Sequence, residues 1–354
     1  MRRIALLACV VALVATATAG AQVSTRSWAH SQITAVVAAG LMAPSVAEFR
    51  PQDSLTHGEL AIALSSLGAI PVTVDQPDRP VSIRELNARL VSVAGLRAEA
   101  RAIRLTAVRA GLAPTSWLGT ETVARLLGLR INHPTGVEHL ELQLGEPATR
   151  AEAAFSIARL LALRDDQADT VRGSVATFEF PELDAPQRAV LRRALRLVGS
   201  PYVWAGTSER QQQIGGRTVP GGFDCSGFVW RVYKLQPFDF APSLPAVLRG
   251  RTSYAMSGEV APSVRITRSD LEPGDLVFFG PNGPRSKPAQ VGHMGIYVGG
   301  GWFVHSSTNG TTLQPLAGWH DRTFAWGRRP LAEAGGFATE PAQHVGAGGV
   351  PKHA

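Results

Sequence analysis

The hydrophobic pattern of this chain changes period partway along, and that change bounds the folds open to it. Residues 25–164 are rich in Ala, Leu and Arg, almost free of strand-like runs, and read as short amphipathic helices joined by turns. From residue 200 onward Gly, Pro and aromatic residues become frequent and β patterns appear. "DLVFFG" (275–280) predicts a short buried strand, and "HMGIYVGGGWFVHSS" (293–307) predicts two β-rich runs around three glycines. One helix is expected to open this second unit. Asp184 is placed to cap it, Pro186 falls in its first turn, Val190, Leu191, Ala194, Leu195 and Val198 share a face, and Gly199 ends it. The pattern permits a mainly α first unit followed by an α+β second unit, and 354 residues are enough for a core in each. Residues 165–183 show no helical period and are expected to be a linker. Residues 331–354 carry no core-forming pattern and are expected to be disordered.

The N-terminus, "MRRIALLACVVALVATATAGAQ", has a basic start, an apolar run and a small-x-small site at Ala19-Gly20-Ala21. That layout predicts a secretory signal peptide over residues 1–21, and a secreted, envelope-located protein with no transmembrane segment once it is removed. Cleavage also removes Cys9 and leaves Cys225 alone, which excludes a disulfide framework. Loss of Arg2 and Arg3 with no acid lowers the formal charge from +7 to +5. A basic exported protein suits an anionic polymer surface such as a cell wall. The basic residues are dispersed rather than clustered, which argues against nucleic acid as a partner.

The helical region contains an internal echo. Thr56, Ser82 and Thr149 are each followed three residues later by Glu59, Glu85 and Glu152, the spacing of a capping box at a helix start. Three ordinary capped helices would look the same. The wider stretch "SWAHSQITAVVAAGLMAPSVAEFRPQDSLTHGELAIALSSLG" (27–68) resembles an S-layer homology repeat, with 81–96 and 148–161 as further copies. The resemblance implies binding of a secondary cell-wall polymer through residues 25–164. The Thr-Arg-Ala-Glu motif is intact only at 149–152; at 56–59 it reads Thr-His-Gly-Glu and lacks the Arg expected to face an anionic ligand.

An unpaired thiol in an oxidising compartment needs its own explanation. Asp224 can cap a helix running through Phe228, Val229, Val232 and Leu235, which puts Cys225 in the first turn. There the positive end of the helix dipole is expected to lower the thiol pKa, and the small Ser226 and Gly227 to leave room for a substrate carbonyl. A cysteine nucleophile needs a base. With Gly299-Gly300-Gly301 as the loop of a hairpin, Val298 pairs with Trp302 and Gly295 with His305. His293 and His305 then share a face, about 7–8 Å apart along the diagonal at the backbone. A one-residue slip would put them on opposite faces. Three readings stay open on residue types alone. The thiol could be a buried inert one beside two incidental histidines, or part of a one-Cys, two-His zinc site without the usual His-x-x-x-His or Cys-x-x-Cys spacing. The third is a catalytic cysteine with two histidines, which alone explains an unpaired exported thiol at a helix start.

The segments "GSPYVWAGTS", "GGFDCSGFVWRVYKL", "RTSYAMSG", "LEPGDLVFFG", "VGHMGIYVGGGWFVHSS" and "WGRR", in that order across residues 184–330, resemble the NlpC/P60 family of papain-like cysteine peptidases. The resemblance implies N-terminal helices packed on an antiparallel sheet, and cleavage of peptidoglycan stem peptides, typically at the γ-D-glutamyl bond to a diamino acid. It implies Cys225 as nucleophile, His293 as base and acid, and His305 as the group that orients His293. Tyr202 matches a tyrosine whose hydroxyl helps hold the oxyanion, and Asp224 and Ser226 match positions that grip the stem peptide. Arg251 is a candidate for a substrate carboxylate. No metal or cofactor is called for. The loops 209–222 and 281–290 are longer than the family pattern, and "WAG" stands where two glycines are usual. The competing reading is a wall-binding protein that works through residues 25–164 with a silent or regulated peptidase domain; an amidase or transferase acting on another acylated substrate is a third.

Overall fold

The structure is a computed structural model that describes residues 27–68, 74–134 and 136–335. Residues 1–21, expected to be a signal peptide, lie outside the described residues, as does the tail beyond residue 335. No helix among the described residues is long and apolar enough to cross a membrane.

The first unit contains helices α1 (His30–Ala38), α2 (His57–Ser66), α3 (Ile83–Val93), α4 (Arg97–Arg109), α5 (Leu118–Leu126) and α6 (Arg150–Leu161). Three of these, α2, α3 and α6, start alike, with Thr56, Ser82 and Thr149 as caps. The residues entering α2, α3 and α6 meet in a closed ring of backbone hydrogen bonds, in which Leu55 N–H donates to Ala148 C=O, Ala148 to Val81 and Val81 to Leu55, each at 2.8 Å. All three residues are fully buried, so the ring lies at the centre of a pseudo-threefold arrangement. Thr56 and Ser82 close full capping boxes with Glu59 and Glu85. Thr149 caps only one way: it accepts from the Glu152 amide at 3.2 Å, while the Glu152 carboxylate turns to Arg130 and His133.

Residues 165–176 form a helix, α7 (Asp165–Ala176), where an irregular linker was expected. Its buried Ala168, Val171 and Val175, spaced three and four apart, pack toward α4. That apolar stripe is narrow and is masked in the sequence by the charges of "DDQADTVRG". The remaining stretch is docked rather than free. Phe178 packs at a tilt against Trp302 with ring centroids 4.6 Å apart, and a Cβ on Gly300 (φ +57°) would lie only 2.4 Å from the Glu179 carbonyl.

The second unit opens with α8 (Ala185–Arg196), capped by Asp184 on the Gln187 amide at 2.7 Å, with Val190, Leu191, Ala194, Leu195 and Val198 buried as their spacing predicts. Two short antiparallel ribbons follow, β1 (Thr207–Ser208) with β4 (Gly222–Phe223), and β2 (Gln212–Ile214) with β3 (Arg217–Val219). The long loop expected before Cys225 is therefore folded. Next comes α9 (Cys225–Tyr233), then short helices α10 (Leu244–Val247) and α11 (Ser253–Gly258). The main sheet holds β5 (Leu276–Phe279), β6 (His293–Gly299), β7 (Trp302–Ser307), β8 (Gly310–Pro315) and β9 (Phe324–Arg328) in the order β8-β7-β6-β5-β9, all antiparallel. Helix α12 (Trp319–Thr323) lies between β8 and β9, and α13 (Pro330–Glu333) follows β9. Glu333 of α13 bonds Arg328 at 2.8 and 2.9 Å, so the first residues of the expected tail are ordered.

Helix α9 buries Phe228, Val229, Val232 and Tyr233 against α8 and the β6–β7 face. Leu235, expected on that face, lies beyond the helix end and is 51 % exposed. The α+β second unit therefore has helices on an antiparallel sheet, behind a helical first unit.

Candidate active site

Helix α9 starts where its sequence says it should. The Asp224 carboxylate accepts the Gly227 amide at 2.5 Å, and Cys225 is the first helical residue. Gly227 is small for a reason other than substrate access: a Cβ there would lie 1.9 Å from the Gly206 carbonyl and 2.8 Å from Arg251. The backbone that carries Tyr202 and Trp204 thus packs directly onto the helix start.

The hairpin sets the histidines. Ile296 pairs with Val304 and Tyr297 with Phe303, which is the expected register, and an irregularity near the turn shifts Trp302 opposite Gly299 instead of Val298. His293 and His305 share a face, with His293 Nε2 and His305 Nδ1 2.7 Å apart. That bond leaves Nδ1 of His293 as its remaining ring nitrogen. His305 is 1 % exposed and stacks on Phe303, with centroids 4.6 Å apart. Gly295 makes room for it: a Cβ at that position would come within 2.7 Å of the Val304 carbonyl and 3.0 Å of the His305 Cβ. Ser306 Oγ donates to the Phe223 carbonyl at 2.7 Å and ties β7 to the entry of α9.

Tyr202, Asp224, Cys225, Ser226, Arg251, His293 and His305 all line one cavity of about 1020 Å³. Within it Arg251 forms a closed cluster. Its guanidinium donates to both carboxylate oxygens of Asp224 at 3.2 Å and to Ser226 Oγ at 2.7 Å, and Ser226 donates to Asp224 at 3.1 Å. The Arg251 charge is spent on Asp224 rather than left free for a substrate carboxylate. Exposed aromatics that sequence reasoning did not single out, Trp204, Tyr254 and Trp319, form part of the cavity wall, as does His320.

The electrostatics correct one expectation. The Cys225 thiol is not lowered but pushed up to about 11, because burial and the adjacent Asp224 carboxylate outweigh the backbone hydrogen bonds from Met294 and Ser226. Burial likewise pushes His293 down to about 3 and His305 well below the usual imidazole range. At neutral pH the site rests as a neutral thiol and two neutral imidazoles. Burial and the nearby thiol and Asp224 raise Tyr202 to about 12, so its hydroxyl keeps its proton. One nitrogen each from His293, His305 and His320 lie within 4.8 Å of one another, the group among the described residues that could hold a metal ion.

The helical unit reaches the same cavity. The Asn132 carboxamide clamps the Tyr202 backbone from both sides, donating to its carbonyl at 2.7 Å and accepting from its amide at 3.0 Å. Arg125 bonds the carbonyls of Gly199 (2.8 Å) and Asn309. Arg150, of the intact Thr-Arg-Ala-Glu motif, is buried and bonds the Phe49 carbonyl at 2.8 Å and the Glu59 carboxylate. It ties copies of the repeat together and presents no free cation.

Comparison with known proteins agrees with this layout. Residues 199–328 match the NlpC/P60 family model and residues 23–61 the S-layer homology domain model. The chain is 30 % identical over 142 residues to murein DD-endopeptidase MepH of Escherichia coli, covering 40 % of this chain and 44 % of that protein. It is 35 % identical over 128 residues to the probable peptidoglycan endopeptidase LytE of Bacillus subtilis, covering 35 % and 28 %. A probable endopeptidase of Mycobacterium tuberculosis is 33 % identical over 126 residues, covering 36 % and 25 %. The chain thus spans less than half the length of each of these relatives. Among solved structures, an NlpC/P60 family protein from Bacillus cereus aligns at a TM-score of 0.32 and 25 % identity, covering 44 % of this chain and 43 % of that one. Residues 199–328 are thus similar to the NlpC/P60 family and residues 23–61 to the S-layer homology domain, each over less than half of the chain.

Proposed function

We propose that the protein is a secreted cell-wall hydrolase that cleaves peptidoglycan stem peptides at the γ-D-glutamyl bond to the diamino acid, using Cys225, His293 and His305. The observation that carries the reading is the 2.7 Å His293–His305 bond in the cavity that Cys225 opens into. It leaves His293 Nδ1 for the thiol proton.

Because thiol and imidazole both rest neutral, proton transfer accompanies attack. The Cys225 proton moves to His293 as the sulfur bonds the glutamyl carbonyl carbon. The Cys225 backbone amide and the Tyr202 hydroxyl donate to the oxyanion. Collapse breaks the C–N bond, and His293 returns the proton to the departing amine. Water, deprotonated by His293, then cleaves the thioester and restores the thiol. His305 fixes the ring of His293 through its Nε2 and steadies the transient imidazolium. Asp224 and Ser226, held by Arg251, offer acceptors for the free amine of the stem peptide. An anionic wall polymer is the partner we assign to residues 25–164, on the strength of the S-layer homology match rather than of Arg150. Mass spectrometry of sacculi digested by wild type and by Cys225→Ala tests the reading. Wild type should release fragments ending at D-glutamate and the variant none; equal release by both, or none by wild type, would leave a wall-binding protein.

A further inference from the structure

His320 has no part in that reaction, yet it completes a set of donors. We propose that His293, His305 and His320 bind a divalent metal ion of the zinc class, and that the ion holds the cleft inactive until it is removed. The donor atoms of the three rings already lie within 4.8 Å of one another. His305 is fully buried, its Nδ1 is bonded to His293, and its Nε2 has the Gln314 side chain as neighbour with no partner in good hydrogen-bond geometry, so one ligand nitrogen is desolvated. Gln314 Nε2–H donates to His320 Nδ1 at 3.1 Å and orients the ring; a half-turn of the carboxamide lets its oxygen accept from Nδ1–H and frees Nε2 for the ion, the arrangement that fixes metal-binding imidazoles. Three imidazoles leave the fourth position of a tetrahedral ion open toward the cavity that Cys225 also lines. Asp224 is the carboxylate on the cavity wall and is tied to Arg251, so the grouped donors are nitrogen, which suits zinc rather than calcium or magnesium. Zinc–nitrogen bonds of about 2.0–2.1 Å place tetrahedral ligand atoms about 3.3–3.4 Å apart, so the cluster closes by about 1 Å or slightly more. Helix α12, which carries His320, has five residues and an Asp321–Arg268 ion pair at 2.9 Å, and is the short element that must shift to close the cluster.

Either nitrogen that His293 gives to the ion disarms it. Nε2 is the atom bonded to His305, and Nδ1 is the atom left for the thiol proton. Calorimetric titration of the metal-stripped full chain with Zn²⁺, and visible spectra with Co²⁺, test the site without any turnover assay. One ion per chain is expected, with the intense bands of tetrahedral cobalt. Loss of an outer-shell partner alone costs about 10–100-fold in metal affinity, so His320→Ala should weaken binding by at least about 100-fold. A melting curve checks that this variant is folded. Absence of stoichiometric binding, or equal binding by His320→Ala, would overturn the proposal.

The Asn132 clamp carries a second inference, which rests on the role given to Tyr202 above. We infer that Asn132 is a positioning residue for Tyr202, so that the helical unit is part of the catalytic scaffold. Besides its two bonds to Tyr202, the Asn132 amide donates to the Thr308 carbonyl at 3.1 Å, and Gln143 donates to the Gly221 carbonyl at 2.8 Å. Asn132 and Gln143 thus hold the backbone at Tyr202 and at Gly221, four residues before Cys225. In the full chain, Asn132→Ala should lower kcat about tenfold with little change in KM, the signature of an interaction felt in the transition state. In a Tyr202→Phe background the same change should cost little more. If Tyr202→Phe is as fast as wild type, the role of Tyr202 falls and this inference with it. If Tyr202→Phe is slow but Asn132→Ala is harmless or fully additive, the clamp alone is wrong.

Discussion

A proton decides the behaviour of the site at the scale of single residues. With the Cys225 thiol raised to about 11 and His293 lowered to about 3, the neutral pair is the resting form across the neutral range. Alkylation of Cys225 by iodoacetamide should therefore climb steadily from pH 7 toward pH 10, about tenfold per unit, with no neutral plateau. A plateau near pH 6–7 would show a preformed thiolate–imidazolium pair. His305→Ala should lower kcat by about 10²–10⁴-fold, since His293 loses the partner of its Nε2, and His305→Asn should recover part of it. Cys225, His293 and His305 were legible in the sequence because a helix start and a hairpin register constrain where they point. The raised thiol pKa was not, because sequence shows the helix start but neither the burial nor the inward turn of Asp224. His320 gave no signal either: it sits on a five-residue helix with no periodicity to relate it to β6 and β7.

Elements hold these residues through close backbone approaches. Gly295 and Gly227 stand where a side chain would collide with the Val304 and Gly206 carbonyls. Gly295→Ala should therefore destabilise the protein by about 1–3 kcal/mol and, by displacing His305, cost more in kcat than in thermal stability. Equal activity per folded molecule would contradict this role for β6. Helix α8 and the β6–β7 hairpin were readable because apolar spacing and glycine placement agreed with what they bury. Helix α7 was misread because three small apolar residues suffice once α4 supplies the opposing face, and a charged surface conceals so narrow a stripe.

Across the whole molecule the two units are joined by specific backbone hydrogen bonds from Asn132, Arg125 and Gln143, none of which sequence patterns announce, since they join positions 70 or more residues apart. The ring of Leu55, Val81 and Ala148 was legible only as a repeated capping motif. Buried histidines set the pH dependence of stability. His293, His305 and His320 titrate below their ordinary 6.5, the last at about 4, so the unfolded chain takes up protons first and stability falls as pH drops from 6.5 toward 4. His133 works the other way. Despite its burial, Glu141 and Glu152 hold it at about 9, so its stabilisation is full below 6.5 and is lost as pH rises through 9. Melting temperature should therefore peak near pH 6.5 and decline on both sides; a peak below pH 5 would contradict these assignments. The most direct test of the central claim is to quench wild-type protein during muropeptide turnover and map its peptides by mass spectrometry. An acyl group carried as a thioester on Cys225 is the result this account requires, whereas turnover that continues with Cys225 unmodified, and persists in Cys225→Ala, would contradict it.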